Sequence, residues 1–250
     1  SASSEAVARY HAFSSHSRAG VLLRAPAVAW DLPVARYTDR AGLASVPLPA
    51  PEPSRAARAE GAAITLAELS IVLWAGAGIS DRRGGLDLRA AASSGALFPT
   101  ELYLWVHDEL PGLPTGVYAY QPEQHALARL APPAPAPVEL GAQVTLIATS
   151  VFRRSGQKYR DRAYRYAAAD AGHVLGNVID AAAALGVGAD LVPRFDDAAA
   201  ARSLGVDPRE EGTMAMVALG PTVRPRQVPP ALVAPALPDE RDLPLGATAL

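Results

Sequence analysis

At 250 residues the chain fits one large domain or one domain with long extensions, and half of its residues are hydrophobic, enough for a sizeable core. A formal net charge of −2 leaves no basic excess to displace counterions, which argues against non-specific binding to nucleic acid. The absence of cysteine excludes a disulfide framework and a thiolate metal site. No apolar run is long enough to span a bilayer and the N-terminus shows no signal-peptide core, so a cytoplasmic protein is expected.

In chain order, residues 5–13 read as a short helix followed by a Ser/His-rich turn. His11 and His16 have no third ligand at metal spacing and read as surface histidines. Residues 21–53 alternate short apolar pieces with Pro26, Pro33, Pro47, Pro49, Pro51 and Pro53. Proline blocks helix and central strand, so this is an extended arm. Arg55 and Arg58 lie three apart and, in a helical turn, face one way; they form either a phosphate grip or a solvated basic edge. Thr65 with Glu68 predicts a capping box for a helix carrying Leu66, Leu69, Val72, Leu73 and Trp74. Gly76 and Gly78 read as its stop, and DRRGG as a loop.

Arg89 opens RAAASSGALFPTELYLWV. Here Ser93, Ser94 and Gly95 form either a tight turn or a place where small side chains and backbone N–H groups admit a flat polar ligand. A strand over 101–107 follows, then a hairpin of GVYAY and HALARL, a proline-rich loop at 132–137 and a buried strand over 143–150. The central stretch is a helix over 163–185. Tyr166, Asp170, His173, Asn177 and Asp180 share one of its faces, and Gly172 and Gly176 on the neighbouring face suggest close approach of another backbone. LGVGADLVPRFDD reads as a loop. A helix begins at Asp196 or Asp197, a buried strand covers 214–219, and a proline-rich tail carries Arg224 and Arg226. Helices and strands mix without repeated βαβ units, and no GxGxxG follows a strand, so the class is α+β and not a doubly wound sheet. The expected division is an N-terminal helix and arm over 1–53, a main domain over 54–220 and an extended tail over 221–250.

Five pieces in order carry a resemblance. RAAASSGALFP with ELYL is similar to the R-x-x-P-S-x-G-A-L-Y-P-x-E-x-Y segment of the SagB/ThcOx-type dehydrogenases, flavoenzymes of the nitroreductase fold. GVYAYQPEQHAL resembles their hairpin. FRRSGQKYRDRAYRYAAADAGHVLGN resembles their F-x-R-x-x-x-K-Y-x-x-R-A-Y-R-Y-x-x-x-D-x-G-H segment. LAELSIVLWAGAGI and WDLP…Y…PLP stand in the expected order. The resemblance runs from about Tyr10 into the tail.

It implies a nitroreductase-like fold, a mixed or antiparallel sheet flanked by helices around a long central helix, which dimerises and binds FMN at the dimer interface. It implies oxidation of azolines to azoles in a peptide or peptide-like intermediate, reached through a cyclodehydratase complex. Lys158 and Tyr159 match its Lys-Tyr pair. Aromatising an azoline removes a hydride to flavin N5 and a proton from the adjacent carbon; the proton needs a base, and the lysine can serve. Arg153, Arg154, Arg160 and Arg162 stand near it in sequence, and positive neighbours disfavour a charged amine. Arg89, Ser93, Ser94 and Gly95 match the segment along the flavin. Arg55 and Arg58 loosely match a phosphate motif, although Ala56 replaces its serine. Arg224 and Arg226 sit where a second phosphate cation is common, and Asn177 and His173 near the ribityl chain or the partner subunit. Arg194 falls in the loop that offers backbone N–H groups to the flavin, where Pro193 has none. Two alternatives remain: a general NAD(P)H-dependent nitro- or quinone reductase, and a flavin-free scaffold within a modifying complex.

Overall fold

Nearly continuously buried strands, whose successive side chains point to opposite faces, form a seven-stranded sheet in which every neighbouring pair is antiparallel. The structure, a computed structural model, describes residues 2–15, 34–52, 58–59, 61–130 and 141–221. His16, Arg55, Arg224, Arg226 and the segment 132–137 lie outside the described residues. The strands are β1 (Ser45–Pro47), β4 (Thr100–Val106), β5 (Gly116–Gln121), β6 (Ala126–Arg129), β7 (Val144–Val151), β8 (Ala189–Leu191) and β9 (Glu211–Leu219). Their order across the sheet is β1-β6-β5-β4-β7-β9-β8. A separate two-stranded hairpin joins β2 (Ile79–Arg83) to β3 (Leu86–Arg89). The predicted DRRGG loop is the end of β2 and its turn: Gly84 and Gly85 take φ of 56° and 76°, which lets two short strands pair around them.

Both sheet faces are covered. One buries Leu102, Leu104, Leu146 and Val217 against α2 (Leu66–Ala77) and α4 (Ala163–Ala184). The other buries Tyr103, Trp105, Ile147 and Met216 with Ala200 and Leu204 of α5 (Asp197–Leu204). Each fully buried large side chain contributes about 1.5–3 kcal/mol relative to exposure. The fold is therefore an α+β sandwich around a long helix, as the sequence predicts. The chain divides into two compact units, Ala27–Val223 and a smaller one carrying α1 (Ala2–Ser14).

Local chemistry explains the helix ends. Thr65 accepts from the Glu68 amide and Glu68 reaches back to the Thr65 backbone, so the predicted capping box forms. Gly76, however, stops nothing. It lies inside α2, where an added Cβ would stand 2.8 Å from Val178 Cγ2, and so it permits α2 and α4 to pack closely. Gly78 is the cap. Asp196 caps α5 by accepting from the Ala199 amide. Within LGVGADLVP, which reads as a loop in sequence, Ala189–Leu191 pairs with β9 as an edge strand.

The predicted polar face of α4 divides in two. Asp170 is buried and Asn177 half-buried, whereas His173 and Asp180 are exposed. A Cβ added at Gly172 or Gly176 would meet no atom of the described residues within 4 Å, so the close approach expected there is not made within this part of the chain. Among the described residues, no helix is long and apolar enough to cross a membrane.

Candidate active site

Helix α3 (Phe152–Tyr159) leaves β7 without a loop and ends at Arg160, whose φ of 43° breaks the helical path. This places Lys158 and Tyr159 on the last turn, at the junction with α4. Facing them is the turn that follows Ala92. Ser94–Ala96 form a short 3₁₀ element, with Gly95 at φ 65° and ψ 19°. Ala96 and Phe98 also have positive φ, 53° and 45°. Left-handed backbone is uncommon away from glycine, so three such non-glycine residues at one junction mark a locally constrained region.

The turn and the helix end meet at Gly95. A Cβ there would lie 2.6 Å from the Tyr159 hydroxyl and 2.8 Å from Lys158 Nζ. Only glycine allows amine and phenol to close on that backbone. Lys158 Nζ stands 5.4 Å from the Tyr159 ring centroid. Tyr159 packs on Tyr166 with centroids 4.4 Å apart, and Arg162 Nε donates to the Tyr166 hydroxyl at 3.2 Å. The phenol is thus supported from α4.

Asp170 is 5% exposed and bonds the turn from α4. It accepts from Ser93 Oγ at 2.6 Å, Ser94 Oγ at 3.0 Å and the Ser94 amide at 3.1 Å. Ser93 Oγ also accepts from the Phe98 amide at 2.9 Å, which closes the turn on itself. Arg154, one helical turn before Lys158, holds the far end by donating to the Phe98 carbonyl at 3.1 Å. The same guanidinium pairs with buried Glu101 at 2.6 Å and donates to the Ala35 carbonyl and Thr38 Oγ1. A buried pair of this kind fixes orientation more than it stabilises.

Arg89 runs beneath the turn. It is buried, stacked between the Tyr37 and Phe98 rings at 5.4 and 5.1 Å, and donates to the Thr100 carbonyl. Its Nε and Nη2 have no hydrogen-bond partner among the described residues. Burial lowers its pKa, and the nearby Arg154 charge adds to the effect. Arg89, Ser93, Phe98, Asp170 and Val174 line one small cavity.

Other predicted residues lie elsewhere. Arg58 pairs with Glu68 of the capping box and bonds the Ala62 carbonyl, so its charge is already engaged. Asn177 donates to the Ala75 carbonyl at 2.9 Å and ties α4 to α2. Arg194 is exposed in the loop after β8. Asp170, Arg154 and Tyr166 surround the site, although sequence reasoning does not single them out as site residues. One further signal stands in the sequence: Lys158 is the only lysine of the chain, every other member of the 23 lysines and arginines being arginine.

The donor set fits the ring of the FMN that the resemblance implies. Gly95 is exposed and has no side chain, so a planar ring can approach its backbone, with the Lys158 amine and the Tyr159 phenol at its edge. For the phosphate, Arg58 would have to leave Glu68.

The sequence pattern of the nitroreductase family matches residues 59–221. A protein of Methanocaldococcus jannaschii named as a nitroreductase is 36% identical over 149 residues, 54% of this chain and 71% of that protein. Among solved structures, a protein of Anabaena variabilis named as a nitroreductase superposes with a TM-score of 0.69 at 25% identity over 84% of this chain. The chain spans 45% of the Anabaena protein's length. The Escherichia coli microcin synthetase McbBCD complex with truncated pro-MccB17 bound matches over 87% of this chain and 91% of the matched chain, with a TM-score of 0.57 at 20% identity, a likeness of fold. With its sheet, long helix and family pattern in agreement, the chain belongs to the nitroreductase family.

Proposed function

We propose that this nitroreductase-family oxidoreductase is an FMN-dependent dehydrogenase that oxidises a peptide or peptide-like intermediate, azoline to azole, in natural-product biosynthesis. The observation that carries the reading is the convergence of the sole lysine and Tyr159 on the backbone of Gly95. A reductase drawing electrons from NAD(P)H needs no base at that spot. A dehydrogenase that aromatises a ring does.

Bound FMN supplies the acceptor for the hydride. The chain's residues handle the rest. Lys158 accepts the proton from the carbon beside the one that loses hydride, so the substrate loses two electrons and two hydrogens in all. Tyr159, supported by Tyr166 and Arg162, orients the substrate or the amine. Ser93, Ser94 and Gly95 present the turn to the flavin ring, and Arg89 stiffens it from below. Phosphate binding falls to Arg226 first, with Arg55, Arg58 and Arg224 as the other arginines; Arg194 stands in the loop toward the flavin ring and Asn177 near the ribityl chain.

The fold-level likeness to a synthetase complex bound to a truncated precursor supports a peptide substrate and partnership with a cyclodehydratase complex. The exposed Gly172/Gly176 face of α4 supports a homodimer. A second reading, the general NAD(P)H-dependent nitro- or quinone reductase, draws on the names of the relatives. Anaerobic mixing separates the readings. Flavin bleaching by an azoline-containing peptide, and slow or no bleaching by NADPH, is expected. Bleaching by NADPH alone would favour the reductase. Failure to take up FMN would favour the flavin-free scaffold.

A further inference from the structure

We infer that Asp170 is a positioning residue: from α4 it holds the Ser93–Ser94 turn so that Gly95 stays against Lys158 and Tyr159. Only its catalytic consequence rests on the function proposed above.

The argument begins with the burial of a carboxylate. Asp170 is 5% exposed, and its oxygens take their bonds from Ser93 Oγ, Ser94 Oγ and the Ser94 amide. All three donors belong to two adjacent residues of one turn. A buried carboxylate is costly unless well bonded, and an apolar side chain would pack the same helix face more cheaply. What the carboxylate adds is direction. It fixes both hydroxyls and one amide at once, immediately before a glycine whose conformation decides where the lysine and the tyrosine can sit.

The neighbouring geometry makes that fixing necessary. Gly95, Ala96 and Phe98 all have positive φ on one side of the contact, and Arg160 on the other. Turns of this kind persist when their surroundings over-determine them. Arg154 secures the Phe98 end, and Asp170 secures the Ser93 end. With the Asp170 end released, Gly95 is free to move away from Lys158 Nζ and Tyr159, and the two groups lose their common target. Displacement of a reacting geometry by about 1 Å can cost a hundred-fold in rate.

The single lysine makes the test direct. Growth on ¹³C-labelled lysine gives one side-chain Cε signal, assigned by its loss in Lys158→Arg. In flavin-free protein, Asp170→Asn keeps the volume but cannot accept all three donors. Its Lys158 signal is expected to move toward that of a free lysine, with the circular dichroism of the folded protein retained. Ser93→Ala/Ser94→Ala, which removes two donors from the other side, is expected to move the signal the same way and serves if Asp170→Asn does not fold. In loaded protein, Asp170→Asn is expected to lower the rate of flavin reduction by roughly ten-fold or more, with little change in half-saturating substrate. A Lys158 signal at its wild-type position in folded Asp170→Asn, or in folded Ser93→Ala/Ser94→Ala, would overturn the inference. Failure of the proton-acceptor reading would appear elsewhere, as unchanged flavin reduction in Lys158→Ala.

Discussion

Gly95 concentrates the residue-scale argument. Adding one methyl group there places a carbon 2.6 Å from the Tyr159 hydroxyl at a φ of 65°, so Gly95→Ala combines backbone strain with displacement of Lys158 and Tyr159. The variant is expected to fold, since Gly95 is exposed, and to lose flavin reduction more than thermal stability. Comparison of melting temperature with single-turnover rate checks this. His125 offers a second residue-scale test. Its ring bonds Ser70, Tyr120 and the Pro49 carbonyl, and burial lowers its pKa below the ordinary value, with the Pro49 bond opposing. The folded state therefore prefers the neutral ring. Its contribution to stability is present above pH about 6.5 and is lost as pH falls through the folded pKa. Melting temperature is expected to fall between pH 7.5 and 5.5, and His125→Asn, which tolerates the left-handed backbone at that position, to fall less over the same interval. Equal slopes in the two proteins would remove His125 from the account. Lys158 and Tyr159 can be named from sequence because they stand in a motif. Asp170 stands in the same motif and on a helix face, but its role is not legible there, because its partners lie 76 and 77 residues away and no local spacing reveals them.

At the scale of elements, the legible features are those written in local chemistry. The capping box at Thr65 and Glu68, the Asp196 cap and the long central helix follow from side chains within a few residues of each helix end. Thr65→Ala is expected to lower stability by about 0.5–2 kcal/mol in denaturant unfolding. What depends on tertiary context is less legible. Gly76 resembles a helix stop until α4 is seen against it, and β8 resembles a loop because three residues carry too little pattern to show a strand. Gly76→Ala gains about 0.5–1 kcal/mol of helix propensity but puts a methyl group 2.8 Å from Val178 Cγ2. Overpacking typically costs about 1–3 kcal/mol, so net destabilisation is expected. A stabilised Gly76→Ala protein would show that the α2–α4 contact has room to spare.

For the molecule as a whole, one long helix serves two ends. One face of α4 packs on the sheet and holds the Ser93–Ser94 turn through Asp170, and the other exposes Gly172, His173, Gly176 and Asp180. If the exposed face is the homodimer contact, Gly176→Ala should stabilise the separate chain by about 0.5–1 kcal/mol through helix propensity while weakening association. Sedimentation across a concentration series reads this, and association unchanged from wild type would move the dimer contact to another surface. The proposed chemistry also explains why a chain of 23 cationic side chains holds its single lysine at position 158: a proton acceptor needs an amine, and a guanidinium cannot lose its proton in this range. That claim has a direct measurement, anaerobic single-turnover reduction of bound flavin by an azoline-containing peptide, in wild type and Lys158→Ala. The expected result is flavin retained and reduction slowed by roughly a hundred-fold or more. Reduction at the wild-type rate in Lys158→Ala would contradict the account.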